Sequence, residues 1–550
     1  MTKTVSFFLK LLGVAWRLDF CMNVRAEKTA ANRLGWLWLL WFSTLVVFAA
    51  SPFEAPAPLT PQNKIDELVF ARLKELNLTP APLCSDAVFV RRVYLDVTGT
   101  LPAAGEAQDF ILDKNFSKRA SLIDRLLARD ECADYFAMKW GDALRIRAEF
   151  PINLWPNAAQ AYHRWIYDAI RLNGSWAKVA TDLLTASGSN FEKPPVNFYR
   201  AMQNRTPVGI AQAVALTFLG ERADHWPAND LANLTVFFAN VGYKTTGEWK
   251  EEIVFFNRAS TNAGALNGAP KMAVFPDGEK VTLLPDKDPR AIFAAWLVKN
   301  PQFARSLANR TWSWLLGRGL VQEPDDFRAD NPPSNPALLD FLAKDFAASG
   351  FDFKQLCRGI LNSKTYQLSS LAQNRTPTAA ANFAFYPLRR LDAEVLIDAV
   401  DQITGTNENY SSAIPEPYTF IPGDLRSIAL PDGSITSGFL DQFGKPPRAT
   451  GLESERNNRI SAAQKLTLLN STQMQRKIES SRLIEFQTSG GRQPPEIITG
   501  MYLGILSRFP TLTEQTEAQD YFKKFGTSRR QPAVDLAWAL INSTEFLYRH

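Results

Sequence analysis

Helix starts in which a capping residue precedes a proline recur along this chain and constrain its fold more than any other feature. Proline is favoured at the first helical position, because the N–H that it lacks would have no partner there. After Asp288 and Pro289, the apolar residues Ile292, Phe293 and Trp296 recur at helical spacing. The same arrangement begins at Thr60-Pro61, Thr206-Pro207 and Asn335-Pro336, and Ser117 precedes a further apolar stripe. These repeated starts predict a mainly α protein.

Two stretches depart from the helical spacing. Between residues 246 and 287, apolar runs flank a turn at Pro276, Asp277 and Gly278, which predicts strands at 253–256, 272–275 and 281–284. Residues 404–445 are rich in Gly, Pro, Ser and Asn and are predicted to be irregular. We therefore expect a multi-helical two-domain protein. Its expected parts are a leader at 1–53, helical domains at 54–245 and 288–550, and a small β-containing connector at 246–287.

The composition narrows the class of protein. Of the 550 residues, 46% are hydrophobic and 21% are charged, which excludes wholesale disorder and a polytopic membrane protein. The net charge is +5 at pH 7, and no dense stripe of Lys and Arg accompanies it. A nucleic-acid partner is therefore not expected.

Histidines and cysteines are too few for most metal and haem sites. The histidines are His163, His225 and His550. Three histidines spread over the chain do not predict a multi-histidine metal site. The four cysteines include no C-x-x-C pair and no C-x-x-C-H haem attachment motif. One disulfide is possible among Cys84, Cys132 and Cys357, and a bond from Cys84 to Cys132 is the pairing we favour.

An uncharged apolar run near the N-terminus predicts export. Residues 35–50, GWLWLLWFSTLVVFAA, follow Arg25, Lys28 and Arg33 and precede a proline-rich stretch, which is the layout of a secretory signal. The run is short for a bilayer span, which favours a cleaved signal peptide. Phe48 disrupts the small-x-small cleavage pattern, so an inner-membrane anchor stays open. We expect a periplasmic or otherwise exported protein that meets the membrane only through this segment.

A series of motifs in fixed order links the chain to a known family. The motifs are SKRASLIDRLLA (117–128), NRTWSWLLGRGLV (309–321), DDFRADNPPSNPALLDFLA (325–343), SKTYQLSS (363–370), PLRRLDAEVLIDAV (387–400), ESERNNRISAAQKLTLLN (453–470) and MYLGILSRFPT (501–511). From about residue 60 to the C-terminus, the chain resembles the planctomycete-type cytochrome-c-associated proteins, which pair PSCyt and PSD domains of unknown function. The resemblance implies an exported protein, often associated with sulfatase-like partners in polysaccharide-related gene neighbourhoods. It implies no particular reaction.

The chain departs from this family at its redox residues. Typical members carry a C-x-x-C-H-like motif after an F-L-G triplet, whereas here Phe218, Leu219 and Gly220 lead into ERADHWPANDLANLTVFFA. Covalent haem needs two thiols and an axial histidine, so His225 is interpreted as a loop or packing residue. The family's C-x-C-E-R-like stretch reads LESER at 452–456, without a thiol. We therefore expect a haem-less variant with no cofactor, no metal and no N-terminal cytochrome module.

A charged and amide-rich set is left as the candidate interaction cluster. Its members are Arg310, Asp326, Arg328, Asn331, Glu455 and Arg456. Carboxylates beside arginines can bind sugars, or act as acid and base when burial shifts their pKa values. The structural alternative is a set of buried ion pairs that hold the NPPSNP loop in place.

The fourteen tryptophans allow two interpretations. Trp140, Trp165, Trp312 and Trp314 could form a platform on which glycans stack, but apolar neighbours at helical spacing favour core packing. No nucleophile elbow, P-loop, dinucleotide-binding glycine motif, H-E-x-x-H or EF-hand loop occurs at a credible position.

Two functional hypotheses follow. We favour an exported binding or assembly module that acts with an exported protein partner or a polysaccharide. The alternative is a periplasmic hydrolase that acts on polysaccharide through a carboxylate pair, which two carboxylates about 5–10 Å apart beside exposed aromatic residues would favour. Electron transfer would require a haem supplied by a partner.

Overall fold

The structure is a computed structural model that describes residues 52–55, 57–149, 154–372 and 374–550. Helices dominate these residues and the strands are short, which confirms the mainly α fold class. The predicted export segment at 35–50 lies outside the described residues. Within the described ranges, no helix combines the length and the apolar character needed to cross a bilayer.

The first helical region contains helices α1 to α10. They are α1 Lys64–Glu75, α2 Asp86–Val97, α3 Ala104–Leu112, α4 Lys118–Ala128, α5 Asp130–Ala143, α6 Pro156–Arg171, α7 Trp176–Thr185, α8 Asn197–Arg200, α9 Pro207–Val214 and α10 Ala228–Val236. The start predicted at Thr206 is confirmed, because its side chain accepts a hydrogen bond from the N–H of Gly209. Helix α1 begins later than the Thr60-Pro61 pattern predicted, since Asn63 supplies the cap.

The second helical region contains helices α11 to α24. They are α11 Pro289–Leu297, α12 Pro301–Leu316, α13 Pro336–Ala348, α14 Phe353–Leu361, α15 Pro377–Ala381, α16 Ala393–Thr404, α17 Gly438–Gln442, α18 Ala462–Asn470, α19 Thr472–Glu479, α20 Arg482–Thr488, α21 Pro494–Leu506, α22 Leu512–Lys523, α23 Arg530–Ile541 and α24 Thr544–Leu547. The starts predicted at Asp288 and Asn335 are confirmed, and both side chains accept first-turn N–H groups. The stretch 404–445 is largely irregular, as expected, apart from short helical turns.

The strands form small antiparallel sheets. They are β1 Glu54–Ala55, β2 Leu83–Cys84, β3 Gly188–Ser189, β4 Val241–Thr245, β5 Glu252–Phe256, β6 Lys271–Val274, β7 Lys280–Leu283, β8 Arg389–Arg390 and β9 Tyr548–Arg549. Strand β5 lies between β3 and β4, with Val254 opposite Tyr243, whereas β6 and β7 form a hairpin with Ala273 opposite Val281. Short two-stranded pairs join β1 to β2 and β8 to β9. The three predicted strands are confirmed to within one residue.

Helices of the two regions pack directly on one another. Helix α1 contacts α13, α7 contacts α11, and α3 contacts α21. The buried apolar side chains of both regions belong to one continuous core cluster. Burial of this apolar surface is the main favourable contribution to folding. Long-range packing therefore fixes the position of each helix relative to the other region.

Core packing accounts for most of the tryptophans considered as a glycan platform. Trp140, Trp312 and Trp314 are buried, and Trp165 is half-buried against the core. Trp140 stacks on Trp176 with ring centroids 4.0 Å apart. These residues are therefore not available to stack on a ligand at the surface.

The expected Cys84–Cys132 disulfide is wrong. All three cysteines in the described residues are buried free thiols. Cys84 lies in β2, whereas Cys132 lies on α5, where burial raises the pKa of its thiol to about 12. Burial, and then the neighbouring Cys132, raise the pKa of Cys357 well above its ordinary value. Tertiary packing thus places Cys132 beside Cys357 and away from the predicted partner.

Candidate functional site

The six residues of the predicted interaction cluster fall into separate environments. Asp326 forms an ion pair with Arg328, at 3.1 Å between Oδ1 and Nε, and Asn331 donates to the Asp326 carbonyl at 2.8 Å. Glu455 accepts hydrogen bonds from the N–H groups of Ala449 and Thr450. Asp326, Arg328 and Asn331 thus lie together, whereas Glu455 stabilises the loop that contains it.

Arg310 acts as a clamp inside the protein. It is buried on α12 and donates to the carbonyls of Leu216 and Thr217, at 3.2 and 3.0 Å. Both acceptors belong to a π-helical turn, Ala215–Leu219, which continues α9 and ends at Gly220. Gly220 has a φ of 67°, a left-handed conformation that favours glycine and redirects the chain into Glu221.

Asp325 and Glu453 join three of the sequence motifs. Asp325 accepts from Arg222 at 2.8 Å and from the N–H of Glu453 at 2.8 Å. The Glu453 carboxylate accepts from the Trp314 indole at 2.9 Å, and its burial raises its pKa. The sequence singled out the adjacent Asp326 and the nearby Glu455 instead. When acidic residues lie next to or near one another in a motif, as Asp325 and Asp326 do, their spacing does not show which carboxylate faces inward.

Arg456 belongs to a buried ion network that spans both helical regions. It contacts Asp142 on α5 at 2.8 Å and Glu394 on α16 at 2.7 Å. Asp392 contacts Lys139 at 2.9 Å and Arg549 at 3.1 Å. The network continues from Arg549 to Asp96 and Arg389, and from Asp142 to Arg448.

Cations determine the charge state of this network. Burial by itself would raise the pKa of Asp392, but Lys139, Arg456 and Arg549 hold that pKa well below its ordinary range. Asn458 donates to the second carboxylate oxygen at 2.7 Å. The carboxylate is thus ionised and its oxygens are occupied by protein donors. We interpret the network as a structural clamp between the two regions.

A group of three aromatic residues, which we call the aromatic patch, consists of the exposed Trp249 and Tyr418 and the buried Trp155. The ring centroids lie 4.6 Å apart for Trp155 and Trp249, 5.2 Å for Trp155 and Tyr418, and 5.5 Å for Trp249 and Tyr418. Trp249 is 57% exposed and Tyr418 is 49% exposed, whereas Trp155 is buried beneath them. Three segments that are far apart in the chain thus meet here, and two of their aromatic rings face solvent.

A groove of about 620 Å³ lies along helix α6, which begins directly after Trp155. Its lining residues on α6 and the preceding helix are Asp134, Asn157, Gln160, Ala161, His163, Arg164 and Tyr167. The opposite wall consists of Phe420, Pro422, Leu425, Ala429, Pro431 and Ile435. One wall is therefore largely polar and the other apolar. We call this cavity the α6 groove.

A buried carboxyl group supports the apolar wall of the groove. Asp398 on α16 accepts from the N–H groups of Ser427 and Ile428, at 2.7 and 3.0 Å. Burial raises the pKa of Asp398 to about 7, although the two backbone donors oppose the shift. These contacts fix the turn that carries Ala429 into the groove.

A second cavity, of about 300 Å³, lies at the end of the clamped π-helical turn. Glu221, Asp230 and Asp277 line it together with the indoles of Trp226 and Trp296. Burial raises the pKa of Glu221 to about 7, although a hydrogen bond from Trp226 opposes the shift. Asp277 accepts from the Trp296 indole at 2.9 Å. The cavity thus combines a carboxyl group that is protonated up to near-neutral pH with other acids and aromatic rings; we call it the Glu221 cavity.

Two family models match most of the chain in tandem. Residues 64–242 match PSCyt2, a protein of unknown function (DUF1549), and residues 289–522 match PSD1, a protein of unknown function (DUF1553). This chain is a paired PSCyt–PSD protein. No curated protein and no solved structure matches it.

The PSCyt and PSD regions both contribute to the Glu221 cavity. The PSCyt region supplies Glu221 and Trp226, the PSD region supplies Trp296 and Gln302, and Asp277 comes from the hairpin turn between them. Gln302 donates to the Leu219 carbonyl at 2.8 Å, which ties the two regions together at the cavity wall. Ligand sites are common at such junctions.

The residues of this PSCyt–PSD chain that follow the F-L-G triplet do not fit a covalently attached haem. His225 is exposed and lies 3.5 Å from Asp224. The segment that contains it has no cysteine, and the cysteines of the described residues are buried elsewhere in the core. Two thiols are required for the thioether bonds. Across the described ranges, no group of three or more His, Cys, Asp or Glu is arranged to hold a metal ion.

Sequence reasoning missed the aromatic patch and the acid of the Glu221 cavity. Trp249 follows Thr245, Thr246, Gly247 and Glu248, and this polar run before it was an available signal of exposure. Glu221 directly follows the F-L-G triplet, where the family resemblance had already drawn attention. The cavity around Glu221 is lined by residues of both regions, and local pattern does not predict how such distant segments meet.

Proposed function

We propose that this PSCyt–PSD protein is an exported polysaccharide-binding module. The observation that carries the proposal is the aromatic patch, in which two large rings are exposed beside a third. Exposed apolar groups of this kind on a folded protein mark interaction sites. The C–H faces of pyranose rings pack on indole and phenol rings, and neighbouring polar groups bind the hydroxyls.

Export is part of the proposal and rests on the sequence. The basic flank and the apolar run at 35–50 support a periplasmic location, either after cleavage or through an inner-membrane anchor. Fractionation of the source cells, with immunodetection of the protein, tests this part. Recovery of the protein with the cytoplasmic fraction alone would contradict it.

The binding proposal predicts that truncating the aromatic patch strongly reduces retention by polysaccharide. The purified full chain is run in native gels that contain β-glucan, xylan, mannan or alginate. We expect Trp249→Ala and Tyr418→Ala each to weaken binding about tenfold or more, because central aromatic anchors contribute about 2 kcal/mol. Phe116→Ala is the matched control, since Phe116 is fully exposed far from the patch in sequence.

The expected control result is unchanged retention of Phe116→Ala. Equal retention of the wild-type protein and both patch variants would refute a role of the patch. Absence of retention by every polysaccharide, with a folded protein, would refute the proposed function itself.

The Glu221 cavity favours a second candidate function, a hydrolase acting on polysaccharide. Hydrolysis of a glycosidic bond needs a protonated acid at the leaving oxygen and a second carboxylate that assists water. Glu221 is suited to the first role because burial raises its pKa to about 7. Asp230 and Asp277 supply further carboxylates, and Trp226 supplies a half-buried aromatic wall.

The hydrolase candidate predicts a pH-dependent role for Glu221. Release of reducing sugar from the same polysaccharides is measured between pH 5 and pH 8. We expect activity to fall as pH rises through 7, and Glu221→Gln to lower it by about 10²–10⁴-fold. Glu67→Gln, at an exposed residue of α1, is the control. No release of sugar, or equal rates for wild type and Glu221→Gln, would exclude this candidate.

Glu221 also predicts a pH dependence of stability that needs no substrate. Its pKa is 4.5 in a solvated side chain and about 7 in the fold, so the folded state holds an extra proton between these values. The stability of the wild type relative to Glu221→Gln should therefore decrease as pH rises from about 4.5 to about 7. Thermal melting at pH 5 and pH 8 measures this. A difference in Tm that is the same at both pH values would contradict the buried position of the carboxyl group.

A further inference from the structure

Helix α6 presents a polar stripe to the α6 groove. Asn157, Gln160, Arg164 and Tyr167 are spaced by three or four residues, so they share one face of the helix. The stripe from Asn157 to Tyr167 extends for roughly 15 Å along the helix axis. Within the described residues, neither Asn157 nor Gln160 directs its side chain into a hydrogen bond with another protein group. These amide groups are therefore open to a ligand in the groove.

His163 is the buried polar group of the same wall. Its side chain is 7% exposed, and its Nε2 has no hydrogen-bond partner among the described residues. Buried polar atoms in folded proteins are nearly always paired, because an unpaired one is costly. Because His163 also lines the α6 groove, a ligand seated there can supply the missing partner of this nitrogen.

The imidazole of His163 is uncharged at physiological pH. Burial, and then the positive charges of Arg448 and Arg164, lower the pKa of His163 to about 3. A neutral imidazole can donate or accept one hydrogen bond at Nε2, depending on its tautomer. A hydroxyl group satisfies either arrangement, since it is both a donor and an acceptor.

The opposite wall has complementary apolar chemistry. Phe420 is 69% exposed, and Pro422, Leu425 and Ile435 extend the apolar surface across from the polar stripe. A pyranose ring has the same division, with C–H faces and an equatorial rim of hydroxyls. An acyl chain would fill the groove but leave His163 and the two amide side chains unpaired, which is unfavourable.

The groove and the aromatic patch are neighbours in the sequence at two points. Trp155 directly precedes the first residue of α6, and Asn157 lies within its first turn. Tyr418 and Phe420 are two residues apart in one loop. These two shared segments bring the patch and the groove close together, so one polysaccharide chain can contact both.

We infer that the α6 groove is a subsite for a sugar unit of the bound polysaccharide, in which the Nε2 of His163 forms a hydrogen bond with a ring hydroxyl. This inference rests on the proposed function and adds to it the group that recognises the sugar. It also assigns the patch and the groove different tasks. The patch supplies affinity for pyranose faces, and the groove distinguishes sugars by the position of their hydroxyls.

The test uses defined oligosaccharides with the purified full chain. Isothermal titration is performed with cellohexaose, xylohexaose, mannohexaose and laminarihexaose, and with the disaccharide of each series. We expect His163→Phe to weaken binding of the preferred hexasaccharide about tenfold, because one buried hydrogen bond is lost and its partner left unpaired. His163→Gln should restore most of the affinity, since its amide can replace Nε2.

A variant that fills the groove provides a second test, which remains valid if the His163 variants do not fold. Ala161 lies on α6 within the groove and is half-buried, so Ala161→Trp should block the groove and abolish the preference among hexasaccharides. Arg171→Ala, at the C-terminal end of the same helix, is the matched control and should bind like the wild type. Thermal melting checks that each variant is folded.

The outcomes separate the two proposals. If Trp249→Ala loses polysaccharide binding while Ala161→Trp and His163→Phe bind every hexasaccharide like the wild type, the groove inference is overturned and the proposed function stands. If no saccharide binds, both are overturned. If oleate or an extended peptide binds the wild type and is excluded by Ala161→Trp, while saccharide binding is unchanged, the groove belongs to another ligand class and the inference is wrong.

Discussion

Replacement of Asp392 by alanine should lower the free energy of unfolding by about 3–5 kcal/mol, because it leaves the buried Lys139 without its anion and removes one anion from Arg549 and Arg456. Asp392 is 2% exposed and contacts Lys139 and Arg549 directly, while Arg456 lies 3.7 Å away. Without this carboxylate Lys139 stays buried and unpaired, while Arg549 retains Asp96 and Arg456 retains Asp142 and Glu394. The cost therefore exceeds the loss of any single contact.

The matched control is Asp520→Ala. Asp520 forms an ion pair with Lys523 at 2.8 Å, and both side chains are mostly exposed, so about 0–1 kcal/mol is expected. Urea unfolding followed by tryptophan fluorescence compares the two variants. Similar midpoints for Asp392→Ala and Asp520→Ala would contradict a stabilising role of the network.

The network also has a defined pH dependence. Since its cations hold the pKa of Asp392 well below the ordinary value, the contribution of Asp392 is fully present above about pH 4. It is lost as pH falls from there through the lower pKa of the folded state. The difference between wild type and Asp392→Ala should accordingly shrink in acid.

Replacement of Trp312 by alanine should destabilise the protein by about 3–5 kcal/mol, because it opens a cavity in the shared core. Trp312 is fully buried, and its ring lies edge-on to Phe383 with centroids 5.1 Å apart. The residue is on α12, the helix that also carries the Arg310 clamp. Loss of its volume should therefore loosen the contact between the two regions.

The stability of Trp312→Ala is to be compared with that of Trp249→Ala. Because Trp249 is 57% exposed, its truncation should change stability by no more than about 0.5 kcal/mol while it weakens polysaccharide binding. Comparison of the two variants thus distinguishes a tryptophan that packs in the core from one that belongs to the aromatic patch. If Trp312→Ala were as stable as Trp249→Ala, the assignment of Trp312 to the core would be wrong.

Local signals explain which parts of the fold were predictable. The helix starts at Thr206, Asp288 and Asn335 each depend on a hydrogen bond between the capping side chain and an N–H two or three residues away. Both partners of this bond lie within the sequence pattern, so the pattern is enough to predict the start. The same is true of the hairpin at Asp277, whose strands are close in the chain. Thr60-Pro61 failed as a start because Asn63 offered a competing cap nearer the apolar stripe.

The candidate site was less predictable, because its members meet only through tertiary packing. Arg456 was singled out from its motif, but its partners Asp142 and Glu394 lie on helices of different regions. Asp326 was chosen over Asp325, although Asp325 is the one that faces Arg222 and Glu453. Which of two adjacent acids faces inward depends on how neighbouring segments pack against it.

Local spacing and motif order were enough to predict the helical class, the strands between 253 and 284 and the paired PSCyt–PSD domains. The exposure of individual tryptophans, the free thiols of the buried cysteines and the position of His163 on a groove are evident only in the folded chain. These properties depend on contacts between residues far apart in the chain. No local pattern encodes such contacts, because burial and unpaired hydrogen-bonding groups arise only when the two regions pack together.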